Sequence, residues 1–122
     1  DLLGSEYPIV DLSPRLLTYD DTAAAIAAMD LIVTVDTSVV HLAGALGKKT
    51  FLFTPFSPDW RWLLDREDSP WYSSVKLFRQ TQELDWSQPI ERIKHEIQSA
   101  IANQAWADGL QSERQIHRAV VA

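Results

Sequence analysis

Asp36, Thr37, Ser38 and His41 stand close together in the stretch VDTSVVHLAGALG (35 to 47), directly after the apolar run LIVTV. If a helix opens at Thr37 or Ser38, His41 follows Thr37 by four residues and Ser38 by three, so two hydroxyls and an imidazole share one face. The first turn of a helix also offers unpaired N–H groups and about half a positive charge, a good seat for a phosphate. Asp36 would repel a phosphate. Its expected role is to cap the helix or to accept hydrogen bonds from sugar hydroxyls or from His41. Such a set suits a nucleoside diphosphate sugar. The plainer alternative is a helix cap, since Asp-Thr-Ser is a common capping sequence and a histidine one turn into a helix often only satisfies its neighbours.

Other chemistries lack their residues. Neither G-x-G-x-x-G nor G-x-x-x-x-G-K occurs, which argues against dinucleotide and P-loop sites. No G-x-S-x-G occurs either, and one helical turn rarely gives Asp36, Ser38 and His41 a triad geometry. His41, His95 and His117 are scattered without an H-x-x-x-H pair, so neither a metal nor another cofactor is expected. Lys48 and Lys49 follow the helix, about 15 Å from its start, and are expected to act on its negative end.

A second unusual stretch, TPFSPDWRWLLDREDSPWY (54 to 72), follows the apolar run TFLFT and holds Trp60, Arg61, Trp62, Trp71 and Tyr72. Aromatic rings can stack on a sugar or base, and a guanidinium can meet a diphosphate, so Trp60 and Arg61 are expected nearer the ligand than Trp71. The equally weighted alternative is that the cluster pins a long loop, with Asp65, Arg66, Glu67 and Asp68 as its solvated face. For Arg79 a surface ion pair is favoured over a role at the same edge.

The elements that must position these residues alternate. PIVDL (8 to 12) is expected to be a strand, TYDDTAAAIAAMD (18 to 30) a helix capped by Asp20 or Asp21, and LIVTV (31 to 35) a strand covered on both faces. The next helix carries Val39, Leu42, Ala43 and Leu46 on one stripe, with Gly47 as its left-handed C-cap. TFLFT (50 to 54) and VKLF (75 to 78) are further strands. A last helix runs from about Pro89 to Asn103, with Ile90, Ile93, Ile97 and Ile101 on one face and Ser87 as cap. This order predicts an α/β fold: a Rossmann-like parallel sheet flanked by helices, over residues 1 to 103. Ligands of such sheets bind beyond the carboxyl ends of the strands, which is where Asp36 to His41 begin. Residues 104 to 122 are expected to form a helical or disordered tail.

Composition bounds the partners. A balance of 11 basic and 17 acidic residues, net charge -6, argues against nucleic acid and anionic membranes. No apolar run approaches the ~20 residues of a membrane span, and no signal-peptide pattern opens the chain. The absence of cysteine fits a reducing, cytoplasmic setting. A start at Asp1 rather than Met suggests a piece of something longer, whose loss would expose an apolar face able to dimerise.

The stretch from Asp21 to Gln80, and above all D-[ST]-x-x-x-H-x-A-x-A-L-G at 36 to 47, resembles glycosyltransferase family 9, the heptosyltransferase-like family, as it occurs at the end of bacterial tetratricopeptide-repeat proteins. The resemblance covers about residues 8 to 103. It implies the C-terminal, donor-binding half of a GT-B fold, with the acceptor site and general base in an N-terminal half. By position, Thr37 and Ser38 would contact the donor diphosphate, and Asp36 and His41 would orient the donor sugar or phosphate. Ser38 departs from the glycine usual there. The implied reaction is metal-independent transfer from a nucleoside diphosphate sugar to an acceptor hydroxyl, the leaving diphosphate held by a helix N-terminus and nearby cations. A donor half of this kind, taken alone, would not turn over. A scaffold module descended from a transferase half and a GT-B-type epimerase remain open alternatives.

Overall fold

The computed structural model describes residues 9 to 108 and 119 to 121. Four parallel strands form one sheet in the order β3-β2-β1-β4: β1 Leu31–Val35, β2 Thr50–Thr54, β3 Val75–Arg79 and β4 Ala119–Val121. Helix α1 (Tyr19–Ala28) precedes β1, α2 (Ser38–Ala45) joins β1 to β2, and α3 (Ser87–Asp108) follows β3. This is the α/β, Rossmann-like arrangement expected from the alternating apolar runs.

Alternation along the strands sorts the core into two faces. Leu31, Val33, Phe51 and Phe78 pack with Ile93 of α3, and Phe53 and Ile97 lie against them. On the other face Ile32 meets Ile26 of α1 and Ala43 of α2, while Val40 of α2 packs with Leu52, Val75, Leu77 and Trp62. Both faces of β1 are therefore covered, which is why its run is apolar throughout.

Local chemistry sets the helix ends. Thr18 opens α1 with a capping box: its hydroxyl accepts from Asp21 N–H at 3.1 Å, and the Asp21 carboxylate accepts from Thr18 N–H at 2.9 Å. The cap is thus Thr18; Asp20 and Asp21, the expected caps, lie inside the first turn. At the end of α2, Lys48 N–H donates to Ala43 C=O and Gly47 N–H to Gly44 C=O, with Gly47 at φ 65°, the left-handed closure expected there. Within the expected stripe, Ala43 is buried and Val39 and Leu42 are partly buried, whereas Leu46 is exposed. The Lys48 side chain, expected at the negative end of α2, does not act there. Its ammonium donates to Ala27 C=O and Met29 C=O, closing the carboxyl end of α1 instead.

Three further expectations are corrected. Residues 9 to 12 form no strand: Ile9 and Val10 are exposed, and the Asp11 carboxylate accepts from both Ser13 N–H and its hydroxyl, turning the chain into a 3-10 turn at Ser13–Arg15. Position 8 lies outside the described residues. Ser87 is the first residue of α3 rather than its cap, and Asp85 accepts from its N–H and hydroxyl. The helix also runs past Asn103 to Asp108, and Ala119–Val121, expected in a helical or disordered tail, pair with β1. Residues 109 to 118 lie outside the described residues.

Hydrogen bonds hold several carboxyl groups below their usual range: the Ser13 hydroxyl acts on Asp11, the Thr18 hydroxyl on Asp21, Arg66 on Asp68, the Ser87 hydroxyl on Asp85, and Lys76 on Glu96. A carboxyl lowered on folding adds stability above its unfolded value, and that stability is lost as pH falls through the folded one. For Asp21 the loss begins near the ordinary value of 3.8 and is completed below it. In Thr18→Val the Asp21 carboxyl, followed by carbon NMR, is expected to titrate higher than in the parent, and α1 to fray at neutral pH. An unchanged titration would show that the capping box does not hold this group.

Candidate functional site

β1 ends at Val35, and the chain passes through Asp36 and Thr37 into α2. Thr37 is the N-cap, its hydroxyl accepting from Val39 N–H at 3.4 Å. Asp36, Thr37 and Ser38 are exposed, and His41 is half-buried one turn into the helix. Asp36 does not cap. One of its oxygens lies 3.9 Å from His41 Nε2, so the carboxylate faces the imidazole at a distance too long for a hydrogen bond. The predicted four residues therefore share the junction between β1 and α2, at the carboxyl edge of the sheet.

The connection from β2 to β3 supplies the rest. It carries a 3-10 turn at Trp60–Trp62, started by Asp59, whose carboxylate accepts from Arg61 N–H. Trp60 projects into solvent at 69% exposure. Arg61 lies 5.1 Å over the Trp60 ring and pairs with Asp59 at 2.9 Å, so its charge is already met within its own turn. The tryptophan that reaches the site is Trp62, fully buried and stacked on His41 with ring centroids 5.6 Å apart and planes at 21°. Tyr72 completes the surroundings: its hydroxyl lies 3.2 Å from His41 Nδ1 and its ring meets the imidazole edge-on. Trp71 is exposed and donates through its indole N–H to Arg61 C=O.

Arg79, expected as a surface ion pair, instead fastens this connection. Its guanidinium donates to Arg66 C=O at 2.9 Å and to Trp62 C=O. Burial pushes it below the usual arginine range, with the Asp65 charge acting in the opposite direction. Gln80 adds a second tie, its side-chain carbonyl accepting from Phe56 N–H at 3.0 Å. Glu67 C=O accepts from Leu77 N–H, and Asp68 forms a bridge with Lys76, so the segment expected as a solvated face also covers the outer edge of β3. Five buried side-chain atoms lack a hydrogen-bond partner among the described residues: Ser74 Oγ before β3, and Thr54 Oγ1, Trp62 Nε1, Arg79 Nη1 and Gln80 Nε2. The last four belong to the carboxyl ends of β2 and β3 or to the loop over them.

A cavity of about 650 Å³ lies elsewhere, at the amino ends of β2 and β3, lined by Lys49, Phe51, Ser74, Lys76 and Glu96 among others. Lys76 and Glu96 neutralise each other there at 2.6 Å. The chemistry therefore favours the carboxyl edge over this hollow. No group of three or more His, Asp or Glu side chains among the described residues is placed to hold a metal ion. Nor is any described helix long and apolar enough to cross a membrane.

A parallel sheet flanked by helices, with an imidazole, two hydroxyls and a helix N-terminus at its carboxyl edge, defines an α/β protein of the Rossmann-like class. Residues 3–84 match the model of glycosyltransferase family 9 (heptosyltransferase), and the chain belongs to that family. It is also similar to Protein FlbA of Caulobacter vibrioides, at 37% identity over 84 residues, which is 69% of this chain and 13% of that protein. The chain thus spans a small part of the relative it matches. No solved structure matches it.

Proposed function

We propose that this chain is the donor-binding part of a glycosyltransferase that moves a sugar from a nucleoside diphosphate sugar to an acceptor hydroxyl. The observation that carries the reading is the placement of His41 on the first turn of α2, beside Thr37 and Ser38, at the carboxyl edge of the sheet in a family of glycosyl-transferring proteins. Backbone N–H groups of the first turn and the Ser38 hydroxyl would meet the diphosphate. His41 would donate from Nε2 to a phosphate or sugar oxygen as the leaving group gains charge. Thr37 would contribute mainly through backbone, since its hydroxyl already caps the helix. Arg61 is less suited than sequence alone suggests, because a donor phosphate would have to displace Asp59 from it. Trp60, exposed on the same turn, keeps a free face for a base or sugar.

Transfer also needs a base to deprotonate the acceptor hydroxyl. We assign that group and the acceptor site to an N-terminal half of the parent protein, so this chain by itself binds donor without turnover. The setting is cytoplasmic in this reading, and the exposed edge left without its other half is a surface for self-association.

Amide-resolved NMR titration with ADP, UDP and GDP tests the proposal. Shifts clustered at Thr37, Ser38 and His41 for one nucleotide are expected, and His41→Ala should abolish them while leaving the remaining spectrum in place. A folded chain whose resonances stay fixed at millimolar nucleotide would overturn the donor-site assignment and favour a scaffold descended from a transferase half.

A further inference from the structure

His41 is met on three sides, by Trp62 and Tyr72 from far along the chain and by Asp36 from the strand end just before its helix. Trp62 covers one face of its ring, the Tyr72 hydroxyl meets Nδ1, and the Asp36 carboxylate faces Nε2. A neutral imidazole has one donor nitrogen and one acceptor nitrogen. A carboxylate only accepts, and although 3.9 Å is too long for a hydrogen bond, its negative charge favours the proton on the nitrogen that faces it. Nδ1 is then the acceptor, and the phenol is the group that donates to it. A phenol can donate or accept, so the Tyr72 contact fits this tautomer and, once the proton is on Nε2, holds it there by donating to Nδ1.

The backbone of α2 is shaped to allow this. A Cβ placed on Gly44 would fall 2.4 Å from Tyr72 Cγ and 2.6 Å from Cδ1. These atoms are the root of the ring, which cannot swing away as a flexible chain end can. Glycine one turn after His41 thus lets the tyrosine lie against the helix. The Ser69 hydroxyl oxygen accepts from Tyr72 N–H at 3.1 Å, fixing where the ring enters. Trp62 and Tyr72 both come from the β2-β3 connection, and Arg79 ties the Trp62 end of it to β3.

We propose that Tyr72 and Trp62 are positioning residues for His41: together they hold its imidazole in the Nε2-protonated tautomer, with the N–H directed to the carboxyl edge where a phosphate or sugar oxygen binds. The proposal rests on the donor-site reading for its use, though the tautomer itself does not depend on any ligand. Tyr72→Phe removes one oxygen and keeps the ring against Gly44, so the fold is retained.

Long-range nitrogen-proton NMR of the histidine rings in the intact chain tests it. The parent is expected to show His41 with a pyrrole-type Nε2 and a hydrogen-bonded, pyridine-type Nδ1. In Tyr72→Phe the Nδ1 resonance should move toward the unbonded position or average between tautomers, with amide shifts confined to the neighbourhood of 41 and 72. Gly44→Ala should do the same by displacing the intact tyrosine. In the nucleotide titration Tyr72→Phe should weaken binding about fivefold, the size of one hydrogen bond. An Nδ1-protonated parent, or ring nitrogens unmoved by Tyr72→Phe, would overturn the proposal, as would a lost tautomer with unchanged nucleotide affinity. If the tautomer is fixed and lost as described but the parent binds no nucleotide, the donor-site reading fails and the positioning of His41 stands.

Discussion

Trp62→Ala is expected to destabilise the chain by about 3–5 kcal/mol, the range for deleting a large buried aromatic side chain. The indole is fully buried among Val40, Leu52, Val75 and Leu77, residues of one helix and two strands, so its removal leaves a hole that three rigid elements border. A domain of this size has a total stability of about 5–15 kcal/mol, and the variant would lie near or below its margin. Trp62→Phe should cost much less. The phenyl ring keeps most of the contact area, and it removes an indole N–H that is buried without a partner among the described residues. Urea unfolding followed by circular dichroism checks the pair: a midpoint for Trp62→Ala close to that of the parent would show that the β2-β3 connection is a surface loop and not part of the core. The comparison matters because the same ring is the floor under His41.

The elements legible in the sequence were those whose pattern is local. LIVTV and TFLFT are apolar at nearly every position, and only a strand covered on both faces accommodates that, so β1 and β2 have the expected limits. Gly47 was legible because a chain leaving a helix needs a left-handed residue. The junction of Asp36 to His41 followed from strand and helix together. PIVDL failed because an apolar run becomes a strand only when it finds a pairing edge, and Asp11 and Pro14 turn this one away. The helix cap was misplaced by two residues or more because Thr18 and Asp21 bond reciprocally, and a single candidate carboxylate hides that pair.

The aromatic set at the site was harder to read for a different reason. Trp60 and Trp62 are separated by one residue, and composition treats them alike. Which one is buried depends on the phase of a 3-10 turn and on the position of Arg79, fixed only when β3 has paired with β2. Tyr72 carried a signal in Gly44. A glycine inside a helix costs about 1 kcal/mol relative to alanine, so its presence there points to a side chain in close approach, although not to which one.

Arg79→Ala is expected to lower stability by about 2 kcal/mol and to disturb His41 without touching it. Two charge-assisted bonds to backbone carbonyls are lost, each worth roughly 1.5–3 kcal/mol, and partial exposure together with relief of a desolvated guanidinium reduces the sum. The bonded carbonyls, at Trp62 and Arg66, bracket Leu63, which adopts φ 53°. A non-glycine residue in the left-handed region is strained by about 1–3 kcal/mol and persists only where its surroundings hold it. Without the guanidinium, Leu63 can relax to negative φ, and Trp62 moves with it. Arg79→Lys should recover little, since an ammonium on a flexible stem cannot reproduce the planar fork that spans two carbonyls. The measurement is the His41 ring resonances of both variants beside their urea midpoints. Shifts at His41 in folded Arg79→Lys would trace the coupling from β3 through the connection to the imidazole, whereas unchanged ring resonances in a destabilised variant would confine Arg79 to holding the loop down.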